Sequence, residues 1–99
     1  MNGTKISLDE RAIAEFCDQH HIRKFALFGS VLRSDFGPES DVDVLIEFEL
    51  GHVPGFGFIG LQDELSRLLG RTVDLNTPQS LSASLRDKVL AEAEVIYAA

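Results

Sequence analysis

Hydrophobic residues recur along this chain with two spacings, and each spacing predicts a type of element. Residues 22–28 predict a first strand with Phe25 and Leu27 on one face and Ala26 and Phe28 on the other, which is typical of a strand covered on both sides. Val42, Val44, Ile46 and Phe48 form an unbroken apolar row on one face of a second strand. Helical spacing predicts helices over about 8–20, about 58–69 and about 77–93, and alternation predicts a third strand over about 72–76 and a short edge strand at 95–97.

Local signals mark the ends of these elements. Ser7 and Glu10 have the spacing of a capping box, and Gly70 follows the second long helix as a C-cap. Strands that alternate with helices predict an α/β (α+β) fold. We expect a small mixed sheet of three to four strands flanked by about four helices, one of them a short helix that follows Gly29.

The size of the chain predicts one domain over residues 1–99. No apolar run approaches the roughly 20 residues that span a bilayer, and the first residues lack the apolar core of a signal peptide. Cys17 has no partner for an internal disulfide and lies on an amphipathic helix, so we interpret it as a buried thiol in a reducing compartment. These features predict a cytoplasmic protein with no membrane contact.

Acidic residues outnumber basic ones by 16 to 9, which gives a formal net charge of −7. Direct capture of nucleic acid depends on Lys and Arg that neutralise phosphates, so this charge argues against it. A basic protein is the more plausible partner.

Candidate chemistry is concentrated around two short motifs, Gly29-Ser30 and Asp41-Val42-Asp43. Because side chains alternate along a strand, the two aspartates project from the same face, with Cα atoms roughly 7 Å apart. Their oxygens can converge on metal ions roughly 3.5 to 4 Å from each other. Hard oxygen ligands of this kind suit Mg²⁺.

The Gly29-Ser30 motif predicts a phosphate site beside that metal site. Gly29 permits a tight exit from the strand, and Ser30 occupies an N-cap position where amides and the helix dipole favour an anion. Arg33, one turn later, either reaches a phosphate or lies in solvent. Asp74 alternates with apolar residues on the third strand, and it joins the other aspartates if that strand lies next to the second.

The spacing of these motifs resembles that of the minimal nucleotidyltransferases, the short MNT branch of the DNA polymerase beta-type nucleotidyltransferase superfamily. The likeness extends over most of the chain. It implies that Gly29 and Ser30 hold the nucleotide triphosphate and that Asp41 and Asp43 bind two Mg²⁺ ions. It also implies that Asp74 binds one metal and helps to activate the attacking hydroxyl. The chain departs from the common pattern at Leu32 and Ser34, where members often have Ala and Gly.

The same resemblance implies a partner. Small MNT proteins usually accompany a HEPN-domain ribonuclease toxin and act as its antitoxin by transferring AMP from ATP to a hydroxyl, expected to be that of a tyrosine. The alternative is an antitoxin that neutralises the toxin by binding alone. A transferase that modifies a small molecule such as an antibiotic is less favoured, because we expect no second domain to form an acceptor pocket.

Four further features attract attention but carry less. Residues 55–60 match the letters of the GxGxxG dinucleotide motif, but no strand directly precedes them, so we interpret them as a loop that opens into a helix. His20 and His21 end the first helix, where a cation suits the helix dipole, and His52 stands isolated in a loop. None of these histidines forms a zinc pattern by spacing. Arg86 belongs to a solvated helix face, although it could approach the nucleotide base or a partner.

Overall fold

Strands and helices alternate along the chain in the computed structural model, which describes residues 8–32, 36–37, 40–52 and 57–99. The strands are β1 (Ile22–Phe28), β2 (Val42–Phe48), β3 (Val73–Asn76) and β4 (Glu94–Ala98). The α-helices are α1 (Glu10–Gln19), α2 (Phe58–Leu69) and α3 (Ala83–Glu92), and Gly29–Leu32 and Pro78–Ser80 form 3₁₀ turns. Among the described residues, no helix is long and apolar enough to span a membrane.

The four strands form one mixed sheet in the order β3-β2-β1-β4. β1 is antiparallel to both of its neighbours, whereas β2 and β3 are parallel and are connected through α2. A parallel pair needs such a crossover connection. The predicted mixed sheet is therefore confirmed, and so is the expectation that the last strand lies at an edge.

Helices cover both faces of the sheet, which explains why β1 is apolar on both sides. One face packs against α1 and α2 and the other against α3. The first core includes Ile13, Phe16, Phe25, Leu27, Val42, Val44, Ile46, Leu61, Leu65, Val73 and Leu75, and the second is formed by Ala26, Phe28, Leu45, Leu81 and Val89. Alternate residues of β1 and β2 thus enter different cores, as their two-residue period requires.

The first helix begins later than the capping-box pattern predicts. Asp9 is the N-cap, and its side chain accepts a hydrogen bond of 3.1 Å from the backbone N–H of Ala12. Ser7 lies outside the described residues. An Asp caps a helix about as well as a Ser, so Asp9, two positions after Ser7, can determine where α1 begins. At the other end of the crossover, Gly70 is a left-handed C-cap with φ +69°, as predicted.

Two of the expected helical segments are shorter than predicted. The segment after β1 is a four-residue 3₁₀ turn, and the predicted helix over about 77–93 consists of the turn Pro78–Ser80 followed by α3. Leu81 is extended and buried between them, which interrupts the helix. Arg86 donates from Nε to the carbonyl of Pro78 (2.6 Å) and from Nη2 to that of Leu81 (3.1 Å). Its side chain therefore stabilises this break rather than extending from a solvated face.

Cys17 is fully buried in the core on the α1 side, as predicted. Burial raises the pKa of its thiol to about 12, because the charged thiolate loses its hydration. The thiol is therefore protonated near neutral pH and is a packing group rather than a nucleophile.

Candidate active site

The chain turns sharply where β1 ends, and Gly29 makes this turn possible. Its φ is +74°, a left-handed conformation that residues with a side chain rarely adopt. A Cβ at this position would overlap Oδ2 of Asp43 and would lie 3.2 Å from its Cγ. Val31, two residues after Gly29, is buried in the core and anchors the 3₁₀ turn. The backbone at Gly29 therefore passes directly against the Asp43 side chain.

Asp43 and Asp74 are register partners on the parallel strands β2 and β3. Neighbouring strands lie about 4.8 Å apart, so the two residues are adjacent across the sheet. The residues that flank Asp74, Val73 and Leu75, are buried in the α1 and α2 core, so both aspartates point to the opposite face. Asp43 is half-buried and Asp74 is exposed.

Asp41 lies immediately before β2 and is exposed. The Ser30 hydroxyl donates to the Asp41 backbone carbonyl over 3.4 Å, longer than an ordinary hydroxyl hydrogen bond. This contact places the 3₁₀ turn beside the start of β2. Five of the six candidate residues thus lie at one end of the sheet. The sixth, Arg33, falls outside the described residues.

Sequence reasoning missed Arg71, which holds the segment that leads into Asp41. Its Nη2 donates to the carbonyls of Gly37 and Ser40, the latter at 3.2 Å, and its guanidinium lies 4.4 Å from the ring centroid of Phe36. A signal was available, because Arg71 directly follows the Gly70 C-cap and precedes a strand predicted to carry a third aspartate. The parallel pairing of that strand with β2 is what brings Arg71 to this loop.

The side chains at this end of the sheet fit a divalent metal. Carboxylates are the hard oxygen donors that Mg²⁺ prefers, and two of them share one face of adjacent strands. A side chain at position 29 would occupy the space next to Asp43 Oδ2, and glycine has none. Such a corner allows the backbone and a ligand to approach each other closely.

Comparison with known proteins identifies the family. The nucleotidyltransferase domain family matches residues 10–96. The chain is 37% identical over 84 residues to the protein adenylyltransferase MntA of Thermococcus cleftensis. This similarity covers 84% of this chain and 81% of the relative.

Solved structures share the fold. A toxin-antitoxin crystal structure with AMP-PNP superposes with a TM-score of 0.76 at 21% identity, over 93% of this chain and 75% of the other. The tri-AMPylated Shewanella oneidensis HEPN toxin in complex with MNT antitoxin gives a TM-score of 0.67 at 21% identity, over 91% and 70%. Family membership implies a nucleotide substrate and a divalent metal. The chain belongs to the nucleotidyltransferase domain family, and within it resembles the MNT protein adenylyltransferases.

Proposed function

We propose that this chain is a Mg²⁺-dependent protein adenylyltransferase that transfers AMP from ATP to a hydroxyl of a cognate HEPN ribonuclease toxin. By modifying the toxin it acts as an antitoxin. The observation that carries the proposal is the in-register pairing of Asp43 with Asp74 beside the Gly29 corner. Carboxylates suit the Mg²⁺ of a metal–triphosphate complex, and a tight glycine turn lets the backbone approach the phosphates closely.

Similar proteins support the choice of substrate and partner. The Thermococcus cleftensis relative is named a protein adenylyltransferase, and the sequence likeness covers most of both chains. One structure with the same fold is a toxin-antitoxin complex with the ATP analogue AMP-PNP. Another is an AMPylated HEPN toxin in complex with its MNT antitoxin. ATP and a HEPN toxin are therefore the ligands we assign to this chain.

The candidate residues divide the work of binding. We assign Gly29 and Ser30 to the triphosphate, and Asp41, Asp43 and Asp74 to two Mg²⁺ ions. Asp43 lies between the other two aspartates, since it is two residues from Asp41 and is paired with Asp74 across the strands. It is therefore the best candidate to contact both ions. Arg33 is a further candidate contact for a phosphate.

The reaction is an in-line displacement at the α-phosphorus of ATP. The hydroxyl oxygen of the acceptor forms a bond to that phosphorus, the bond from the phosphorus to the oxygen bridging to the β-phosphate breaks, and pyrophosphate leaves. The hydroxyl proton passes to the Asp74 carboxylate, which is exposed and therefore accessible to an acceptor from another protein. Bound Mg²⁺ lowers the pKa of the attacking hydroxyl and neutralises charge on the triphosphate.

Charge favours a protein acceptor of a particular kind. The chain carries a formal net charge of −7, and a ribonuclease that handles RNA should carry basic surface. Attraction between opposite charges speeds association and favours the correct partner. The resemblance to MNT antitoxins, rather than the charge, implies that the acceptor on this toxin is a tyrosine hydroxyl.

The test is a double substitution that removes two carboxylates without changing side-chain size, Asp41→Asn with Asp43→Asn. We expect it to abolish transfer of labelled AMP from ATP to the purified toxin while the two proteins still associate. Asp63→Asn is the matched control, because Asp63 is an exposed carboxylate on α2, which covers the opposite face of the sheet. It should leave transfer unchanged.

The same variants separate adenylylation from the alternative, neutralisation by binding alone. If the double variant still protects cells from the toxin as well as the wild type does, binding is sufficient and the catalytic proposal is wrong. If labelled AMP appears on a small molecule but never on the toxin, the partner assignment is wrong.

A further inference from the structure

Three metal-ligating side chains outside the aspartate site converge at the other end of β2. His21, Glu49 and His52 each present one ligand atom, and these atoms all lie within 4.8 Å of one another. The two imidazole rings are stacked, with centroids 3.9 Å apart and an interplanar angle of 20°. All three residues are exposed. The sequence pattern predicted that His52 is isolated in a loop, and this prediction is wrong because His52 lies beside His21 and Glu49.

Backbone hydrogen bonds place these residues together. The N–H of Glu49 donates to the carbonyl of His21 (2.7 Å), which joins the end of β2 to the turn between α1 and β1. The N–H of His52 donates to the carbonyl of Glu49 (3.0 Å) and closes a turn that directs His52 back toward His21. The convergence thus follows from the fold of two separate segments, and no sequence motif announces it.

His21 adopts a left-handed backbone conformation. Its φ is +57°, and it is the only residue other than glycine with a positive φ in the described part of the chain. The residue directly after the C-cap of a helix commonly takes this left-handed conformation, but glycine or asparagine is usual there. Histidine takes this conformation more often than most residues with a side chain, but at a cost that glycine avoids, and a role for the His21 side chain would explain that cost.

We propose that His21, Glu49 and His52 form a zinc(II) site. Two imidazole nitrogens and one carboxylate oxygen are ligands that suit Zn²⁺, whereas Mg²⁺ prefers oxygen ligands alone. Ligands of a tetrahedral ion with Zn–N bonds of about 2.0–2.1 Å lie about 3.3 Å apart. Exposed side chains can close from 4.8 Å to this distance by rotation about their χ angles, and water completes the coordination.

This site is separate from the one assigned to Mg²⁺ and ATP. Glu49 is six residues beyond Asp43 along an extended chain, which corresponds to about 20 Å at 3.3 Å per residue. A bound ion would therefore not contact the aspartates. It would join the turn after α1 to the loop after β2 and so stabilise the folded state, because the ligands do not converge in the unfolded chain.

The experiment uses the full chain in the Asp41→Asn, Asp43→Asn background, so that the aspartates do not contribute to zinc binding. Isothermal titration with Zn²⁺ measures affinity and stoichiometry, and NMR of the imidazole nitrogens reports which histidines bind. His21→Ala and His52→Ala each remove one ligand, whereas His20→Ala is the matched control. The adjacent His20 contacts Glu64 at 3.3 Å and lies outside the cluster.

We expect one zinc per chain, with imidazole signals shifted for His21 and His52 and unchanged for His20. Removal of either ligand should weaken binding by on the order of a hundredfold, since loss of even an outer partner of a metal ligand weakens affinity about 10- to 100-fold. Circular dichroism should give the same spectrum for all variants, because none of the substituted residues is fully buried. The proposal is overturned if zinc does not bind, or if His20→Ala weakens binding as much as the other two substitutions do.

Discussion

The backbone of Gly29 lies so close to the side chain of Asp43 that a methyl group on Gly29 would overlap the Asp43 carboxylate. Gly29→Ala therefore has two effects. It strains a φ of +74°, which costs about 1–2 kcal/mol in a left-handed conformation, and it forces the Asp43 side chain to rotate away. We expect the rate of AMP transfer to fall by a larger factor than the loss of about 1–2 kcal/mol in the free energy of unfolding would explain. Urea denaturation and a transfer assay on the same preparation measure the two effects.

A second glycine provides the control for this prediction. Gly60 lies within α2, and a Cβ there would meet nothing within 4 Å. Gly60 is in the first turn of α2, so Gly60→Ala should leave transfer unchanged and raise the free energy of unfolding by less than the roughly 0.5–1 kcal/mol expected in a helix interior. If Gly29→Ala retains full transfer, contact between this corner and Asp43 has no part in catalysis.

Arg71 donates to Gly37 and Ser40, which come just before Asp41 in the chain, so its substitution should affect catalysis without removing a metal ligand. Arg71→Ala removes hydrogen bonds to the carbonyls of Gly37 and Ser40 and the contact with Phe36. Hydrogen bonds from charged groups contribute about 1.5–3 kcal/mol each, and the half-exposed position favours the lower end of that range. We expect a lower kcat together with a lower free energy of unfolding.

Two variants distinguish positioning by Arg71 from a simple effect of charge. Arg71→Lys keeps the charge but lacks the planar group that stacks on an aromatic ring and donates to two carbonyls, so it should restore only part of the activity. Arg67→Ala removes an exposed arginine from the last turn of α2; it should leave kcat unchanged and lower the free energy of unfolding by no more than about 1 kcal/mol, through the lost interaction with the helix dipole. Full activity of Arg71→Lys would contradict the role we give to its geometry.

The sequence predicted those parts of the fold that depend on local period and on apolar faces. β1 has the predicted bounds, and Gly70 has the predicted left-handed cap. The start of α1 was wrong because two residues near it can both cap a helix, and the structure uses Asp9. The last long helix was wrong because buried Leu81 interrupts it, and the burial of a side chain depends on tertiary packing.

Prediction of the site was limited in the same way. Asp43 and Asp74 could be named from alternation and spacing, but only the parallel register of β2 and β3 makes them neighbours. Arg71 and the cluster around His21 join segments far apart in the sequence through backbone pairing. The hydrophobic periodicity within a single segment cannot predict such contacts between segments.

The buried thiol of Cys17 should make the protein less stable at alkaline pH. Its pKa rises from 9.0 to about 12 on folding, so above about pH 9 the unfolded chain loses the proton while the folded chain keeps it. The stabilisation is complete below about pH 9 and is lost progressively between about pH 9 and 12. Urea unfolding at pH 8 and at pH 10.5 should show a larger fall for the wild type than for Cys17→Ala. Equal falls would mean that other groups cause the alkaline loss.

His21→Gly tests whether the left-handed backbone of His21 destabilises the fold while its side chain is needed to bind zinc. Glycine adopts a φ of +57° without strain, so we expect the free energy of unfolding without metal to rise by up to about 1 kcal/mol. The substitution also removes the stacking on His52, and a parallel measurement in a His52→Ala background separates that loss from the relief of backbone strain. If zinc binds as proposed, excess Zn²⁺ raises the melting temperature of the wild type but not that of His21→Gly. A loss of stability in both backgrounds would show that the backbone at position 21 is not strained.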